Sequence, residues 1–220
     1  GGIANGGVDL DSSPNTLSIN VTPINQSPAG SDKTITLLED APYSFSAADF
    51  GYSDPIDAMR PTGANNLLSV VLTTLPSVGT LRLGANAVTA GQEIAAANLA
   101  SLTYTPPANA SGTTLASFTF QVRDDGGTAG GGSNLDPTPN VITFSLTPVN
   151  DPPSGADRTL TTLEDTAYTF SAADFGFSDP ADAAGASGAN SLQSVRITTL
   201  PGSGSLRLSG AVVSAGQEIS

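Results

Sequence analysis

The chain has 220 residues, and its 20 acidic and 7 basic side chains give a formal net charge of −13 at pH 7. Binding to the phosphates of nucleic acids needs clustered Lys and Arg, so this balance argues against a nucleic-acid partner. The absence of His and Cys excludes Cys/His zinc sites, Ser-His-Asp and Cys-His catalysis, and disulfide bonds. Because no run of about 18 apolar residues occurs, direct membrane insertion is not expected.

The distribution of apolar residues predicts an all-β protein. Charged residues make up 12% and apolar residues 38% of the chain, which is not the composition of a disordered segment. Short Thr, Val, Leu and Phe runs are separated by Gly, Pro and Asn clusters, as in β-sandwiches. In chain order the sequence predicts strands at 15–22, 34–38, 43–46, 69–75, 81–83, 87–89, 102–105, 118–123 and 141–147, a long loop at 49–66, and one helical turn at 94–100.

The sequence repeats itself without gaps at an offset of about 125 residues. Leu-Glu-Asp at 38–40 returns at 163–165, and Phe-Ser-Ala-Ala-Asp-Phe-Gly at 45–51 returns at 170–176. When residues 1–95 are compared with residues 126–220, 53 of the 95 positions are identical. A period of this length corresponds to a whole domain rather than to one coil of a solenoid, whose repeats have about 20–50 residues.

Two Pro-bounded junctions set the phase of the repeat. Thr-Pro-Ile-Asn at 22–25 is equivalent to Thr-Pro-Val-Asn at 147–150. We therefore expect one complete repeat at 26–150. Residues 1–25 match the C-terminal strand of a preceding repeat, and residues 151–220 match the N-terminal part of the next repeat, truncated.

Asp side chains supply the candidate functional groups. In a sandwich of about seven strands, the loop after the second strand lies beside the upstream junction, whereas the bend after the first strand lies beside the downstream junction. Acidic and amide side chains from three segments should therefore meet between consecutive repeats. Such a set of oxygen ligands suits Ca²⁺, which takes 6–8 of them. The predicted ligands are Glu39, Asn150, Asp151, Asp179 and Asp182.

The first junction repeats this pattern with fewer charges, because Gln26 stands where the second junction has Asp151. Its weaker candidates are Asn25, Asp54, Asp57, Asp124 and Asp125. An alternative for any single Asp is that it caps a turn. Paired carboxylates also occur in glycosidases. However, a chain with four Tyr and no Trp lacks the aromatic platform of a sugar cleft, and we do not expect an enzyme.

Four segments together resemble the cadherin-like or Ig-like tandem repeats of giant bacterial surface adhesins of the RTX type. They are Glu-Asp-Thr-Ala-Tyr at 164–168, Leu-Thr-Tyr-Thr-Pro-Pro-Ala-Asn-Ala-Ser-Gly-Thr at 102–113, Phe-Thr-Phe-Gln-Val-Arg-Asp-Asp-Gly at 118–126, and Pro-Val-Asn-Asp-Pro-Pro at 148–153. The resemblance implies antiparallel β-sandwich repeats of about 125 residues, calcium at the junctions, type I secretion in many relatives, and roles in adhesion and biofilm. One departure is the sparse Ser-Asp-Pro-Ile-Asp at 53–57, where such repeats usually have an Asp-rich segment.

The expected function is that of a stalk segment in a secreted adhesin or extracellular filament at the bacterial cell surface. Its partners would be neighbouring repeats of the same polypeptide, with cell-surface or matrix ligands bound through other domains. Two alternatives stay open. The 49–66 loop could recognise a glycan or a partner protein, or the 15–22 strand could add to the sheet of a neighbouring subunit and polymerise the protein.

Overall fold

The computed structural model describes residues 2–60, 63–183, 185 and 188–220. The chain is mostly β, with several sheets and a few short helices. Its strands are β1 (Lys33–Leu38), β2 (Tyr43–Ser44), β3 (Leu67–Leu72), β4 (Thr80–Leu83), β5 (Asn86–Ala87), β6 (Glu93–Ala95), β7 (Leu102–Thr105), β8 (Gly112–Asp124), β9 (Asn140–Thr147), β10 (Val195–Arg196), β11 (Arg207–Leu208), β12 (Ala211–Val212) and β13 (Glu218–Ile219). In the described residues, no helix has the length and apolar character needed to cross a membrane.

The helices are short and lie mostly in loops. The four-residue α-helix α1 covers Pro180–Ala183, and 3-10 helices cover Ala4–Gly6, Ala47–Phe50, Asp57–Met59, Ala96–Ser101, Ala129–Gly131 and Ala172–Phe175. The helical turn expected at 94–100 is therefore partly correct, because residues 93–95 form β6 and the turn starts only at Ala96.

Two sheets account for β1 to β9. One has five strands in the order β1-β9-β8-β3-β6, and the other has four in the order β2-β7-β4-β5. The prediction of purely antiparallel sheets is wrong in one place, because β1 pairs with β9 in parallel. Parallel pairing needs a long crossover, and the hundred or so residues between these strands supply one. The pairing brings the C-terminal ends of β1 and β9 to the same edge of the sheet, where Leu38 lies opposite Thr147.

The two sheets contribute to one hydrophobic core. On β8, the alternating residues Ala116, Phe118, Phe120 and Val122 are buried, as the period of two predicts. Tyr104 of β7 stacks on Phe144 of β9, with ring centroids 3.8 Å apart. Tyr104, Phe118, Phe120 and Phe144 are therefore core residues.

The residues outside 26–150 are far more exposed. The strand expected at 15–22 does not form, and its Leu17, Ile19 and Val21 are 87%, 78% and 84% exposed. An isolated strand has no hydrogen-bond partners, and no described strand of this chain pairs with the segment. Residues 158–163 match β1 in sequence but also form no strand. The expected tandem sandwich repeats are therefore not visible in the described residues before residue 26 and after residue 150.

This contrast predicts the order of proteolytic cleavage. Phe170 is 49% exposed, whereas Phe45, its counterpart one repeat earlier, is 2% exposed. Because proteases cleave where the backbone opens at low cost, a protease that cuts after aromatic residues should cleave at Tyr168 and Phe170 first. Limited proteolysis followed by mass spectrometry would check this. Cleavage at Tyr104 or Phe118 at the same rate would contradict it.

A second prediction concerns the Ser46–Asp49 capping box, which shortens β2 relative to the expected 43–46. Asp49 Oδ2 accepts hydrogen bonds from the Ser46 backbone N–H (2.7 Å) and hydroxyl (3.0 Å). Its Oδ1 accepts from Lys33 Nζ (2.6 Å) and from the Tyr43 hydroxyl (2.9 Å). Asp49→Asn should lower the free energy of unfolding by about 1–3 kcal/mol, because the buried charge-assisted bonds are lost. The equivalent but less buried Asp174→Asn should cost less, and urea denaturation would compare the two.

The same variant has a defined pH dependence. Burial opposes ionisation of Asp49, but the hydrogen bonds from Lys33, Ser46 and Tyr43 outweigh it and lower its pKa from the ordinary value of 3.8. A carboxyl group with a lowered folded pKa stabilises the fold above its unfolded pKa, and this contribution is lost as the pH falls through the folded pKa. The stability difference between the parent and Asp49→Asn should therefore shrink below pH 3.8. A difference that stays constant in acid would contradict the assignment.

Candidate metal centre

Three carboxylates from separate segments meet at the second junction. Glu39 follows β1, Asp151 lies in the junction after β9, and Asp182 belongs to α1. One oxygen atom from each of these side chains lies within 4.8 Å of the others. This carboxylate group could hold a metal ion.

Local hydrogen bonds bring the three side chains together. The Glu39 N–H donates to the Thr147 carbonyl oxygen (2.9 Å) and so extends the parallel pairing of β1 with β9 to the junction. Glu39 Oε1 accepts from the Val149 N–H at 2.7 Å. Asp182 Oδ1 accepts from the Asp151 N–H at 3.1 Å. Both carboxylates are therefore anchored to the backbone of the junction itself.

Asn190 forms hydrogen bonds with the two remaining predicted ligands, Asn150 and Asp179, and with Asp182 of the group. Its N–H donates to Asp179 Oδ2 at 2.6 Å, and its Nδ2 donates to Asp182 Oδ2 at 2.6 Å and to Asn150 Oδ1 at 2.7 Å. Asn190 is not among the ligands predicted from the sequence. The signal was available, because Gly-Ala-Asn at 63–65 returns at 188–190.

Several oxygen atoms of this group have no partner. Glu39, Asp179 and Asp182 are 4%, 5% and 4% exposed. Glu39 Oε2, Asp151 Oδ2 and Asp179 Oδ1 are buried without a hydrogen-bond partner in the described part of the chain. An uncompensated buried carboxylate costs several kcal/mol. No Lys or Arg of the described residues forms an ion pair with these carboxylates.

The electrostatics of the group also favour a bound cation. The pKa of Asp151 is raised, first by desolvation and then by the negative charges of Asp40, Asp182, Glu39 and Asp179. Crowded carboxylates repel one another unless they are protonated or a cation lies between them. Because all of the donors are oxygen atoms, the set suits a hard cation rather than a thiophilic metal.

The weaker candidates at the first junction form a second network. Asn65 donates its N–H to Asp54 Oδ2 (2.8 Å) and its Nδ2 to Asp57 Oδ2 (2.9 Å) and to Asn25 Oδ1. Asn25 Nδ2 in turn donates to Asp124 Oδ1 at 2.9 Å. The pKa of Asp124 is raised by desolvation and by the charges of Asp54 and Asp57, against hydrogen bonds that lower it. Four of the five weaker candidates therefore lie together.

Asp125 stands apart from this network. It is exposed, and its carboxylate accepts from the Asn66 N–H at 2.8 Å and from Asn66 Nδ2 at 3.2 Å. These hydrogen bonds lower the pKa of Asp125. Both hydrogen bonds come from a residue 59 positions away in the sequence, so Asp125 links two loops and does not cap its own turn.

Comparisons of the chain with protein-family models, with curated proteins and with solved structures found no match. Function is therefore inferred from the residues and their geometry.

Proposed function

We propose that this chain is a spacer segment of a secreted bacterial surface adhesin or extracellular filament, built from sandwich repeats whose junctions are stiffened by Ca²⁺. The observation that carries the proposal is the buried group Glu39, Asp151 and Asp182, which joins segments on both sides of a repeat junction. Such a segment needs no catalytic residue. Its partners are the neighbouring repeats of the same polypeptide.

The sandwich part of the proposal is supported by the shared core of the two sheets. Ig-like sandwiches have about seven strands in about 100 residues, arranged in two packed sheets. Here nine strands between residues 33 and 147 form sheets of five and four strands. Sandwich repeats at 26–150 and onwards from 151 also explain the period of the sequence.

The cation would act as a cross-link between repeats. Glu39 belongs to residues 26–150, whereas Asp179 and Asp182 belong to the segment that starts at residue 151. A Ca²⁺ ion bound by both sides would fix their relative orientation, since its ligands must stay about 2.3–2.6 Å from it. Without the ion, repulsion among the same carboxylates would favour a looser junction. Stiffness of the stalk would then depend on extracellular calcium.

The loop alternative has less support. The side chains of Asp49, Asp54 and Asp57 in the 49–66 loop are buried rather than directed at solvent. They accept hydrogen bonds from within the loop and from its neighbours. One observation supports polymerisation by strand addition: alternate apolar residues at 15–22 are exposed.

Calcium titration of the chain tests the proposal. Isothermal titration calorimetry should show calcium binding, and a variant of the second junction such as Asp151→Asn should weaken it. Small-angle X-ray scattering should show a smaller spread of shapes with calcium than with a chelator. No heat of binding together with identical scattering curves would contradict the proposal. Growth of the particle with protein concentration, with or without calcium, would instead favour polymerisation.

A further inference from the structure

The two junctions share one hydrogen-bond framework. Asn65 donates its backbone N–H to Asp54 and its side-chain N–H to Asp57 and to Asn25. Asn190 makes the equivalent bonds to Asp179, Asp182 and Asn150. The backbone after Asp57 and after Asp182 is equivalent as well. The Arg60 N–H donates to the Asp57 carbonyl at 3.0 Å, and the Gly185 N–H donates to the Asp182 carbonyl at 3.0 Å.

Within this common framework, two positions differ in charge. Gln26 is equivalent to Asp151, and Arg60 is equivalent to Gly185. Each difference makes the first junction more positive by one unit. Together they amount to two positive charges, which is the charge of one divalent cation, and Asp124 at the first junction is balanced in number by Glu39 at the second.

The positive charge of Arg60 lies next to the Asp57 carboxylate. Its Nη2 lies 2.6 Å from Asp57 Oδ1 as an ion pair and donates a hydrogen bond to the Ile24 carbonyl oxygen. The Asp57 side chain is 1% exposed and that of Arg60 is 18% exposed, so the pair is largely buried. The guanidinium therefore links the Asp57 carboxylate to the backbone on the upstream side of the first junction.

We infer that Arg60 takes the place of the metal ion at the first junction, so that this junction closes without a cation while the second junction depends on one. The inference rests on the proposed calcium role of the second junction. A guanidinium stays charged at all relevant pH values and presents fixed donors, so this cross-link does not respond to calcium. The chain thus combines one calcium-independent and one calcium-dependent junction.

The first junction still contains carboxylate oxygen atoms without partners. Asp54 Oδ1, Asp57 Oδ1 and Asp124 Oδ2 are buried and accept no hydrogen bond in the described residues, and of these three only Asp57 Oδ1 has an ion-pair partner, Arg60. A cation bound there in addition to Arg60 is therefore the rival outcome that an experiment must separate.

The test is to introduce the two residues that distinguish the first junction, Gln26 and Arg60, at the equivalent positions of the second junction. Asp151→Gln alone should abolish the calcium-dependent change in scattering and leave the second junction loose. Adding Gly185→Arg to this variant should restore, in chelator, the narrow distribution of shapes that the parent shows only with calcium. The double variant should also bind no calcium in calorimetry. If the parent responds to calcium but the double variant stays loose, the inference is overturned while the proposed function stands.

Arg60→Gln provides a second readout that does not depend on the double variant folding well. It should lower the Tm of the chain by the same amount with and without calcium, because no ion occupies the position of Arg60. Recovery of the Tm on calcium addition, or two bound calcium ions in the parent, would overturn the inference. A parent that does not respond to calcium at all would overturn the proposed function itself, and with it the contrast between the junctions.

Discussion

Replacing Phe144 with Ala is expected to lower the free energy of unfolding by about 3–5 kcal/mol. Phe144 is fully buried and lies at the centre of the aromatic core. Its ring centroid is 3.8 Å from that of Tyr104, 6.1 Å from Phe118 and 6.2 Å from Phe45. Truncation removes these contacts and leaves a cavity where β7, β8 and β9 meet. Urea denaturation followed by far-UV circular dichroism would measure the loss.

Phe170→Ala is the matched control for this substitution. Phe170 is 49% exposed, and its removal should change the free energy of unfolding by no more than about 0.5 kcal/mol. Equal losses for the two variants would mean that the core is not confined to residues 26–150. A loss below about 1 kcal/mol for Phe144→Ala would mean that its site collapses or was not packed.

Asp151→Asn is expected to weaken calcium binding by roughly tenfold or more, because calcium affinity depends strongly on the number of charged ligands. Asp151 Oδ2 is buried without a partner, and a neutral amide would offer the ion a weaker donor. The fold of residues 26–150 should be unchanged, since the Asp151 carboxylate accepts no hydrogen bond from their strands in the part of the chain that the structure describes. Calorimetry would measure the affinity, and circular dichroism would check the fold.

Asp157→Asn is the control for the change in net charge. Asp157 is exposed and follows the same junction by six residues, so its neutralisation should leave the calcium affinity nearly unchanged. If both variants lose affinity equally, calcium responds to the overall charge of −13 rather than to this group. If neither variant loses affinity, the ion binds elsewhere.

The sequence was sufficient to predict the meeting of Glu39, Asp151 and Asp182. Their convergence was inferred from the order of strands and loops along the chain and from the phase of the repeat, both of which can be read from the pattern of residues. Asn190 was missed although its repetition of Asn65 is visible in the sequence, because the repeat alone does not show which carboxylates the amide binds. Arg60 was missed for the same reason, since its role is visible only beside its counterpart Gly185.

Strand register was harder to predict than strand existence. The period of two in 118–123 located β8, but the strand extends to Gly112–Asp124 because its pairing with β9 continues beyond the apolar alternation. The parallel pairing of β1 with β9 could not be predicted, since an alternating pattern looks the same in either direction. The segment at 15–22 has the pattern of a strand without forming one, because a strand also needs a partner.

An anomalous diffraction experiment on crystals grown with calcium would test the central claim most directly. The proposed function predicts a calcium peak at the second junction, within about 2.3–2.6 Å of carboxylate oxygens from Glu39, Asp151 and Asp182. It also predicts no such peak beside Asp57, where Arg60 forms the ion pair. Ordered carboxylates at Glu39, Asp151 and Asp182 with no calcium between them, in crystals held at millimolar calcium, would contradict it.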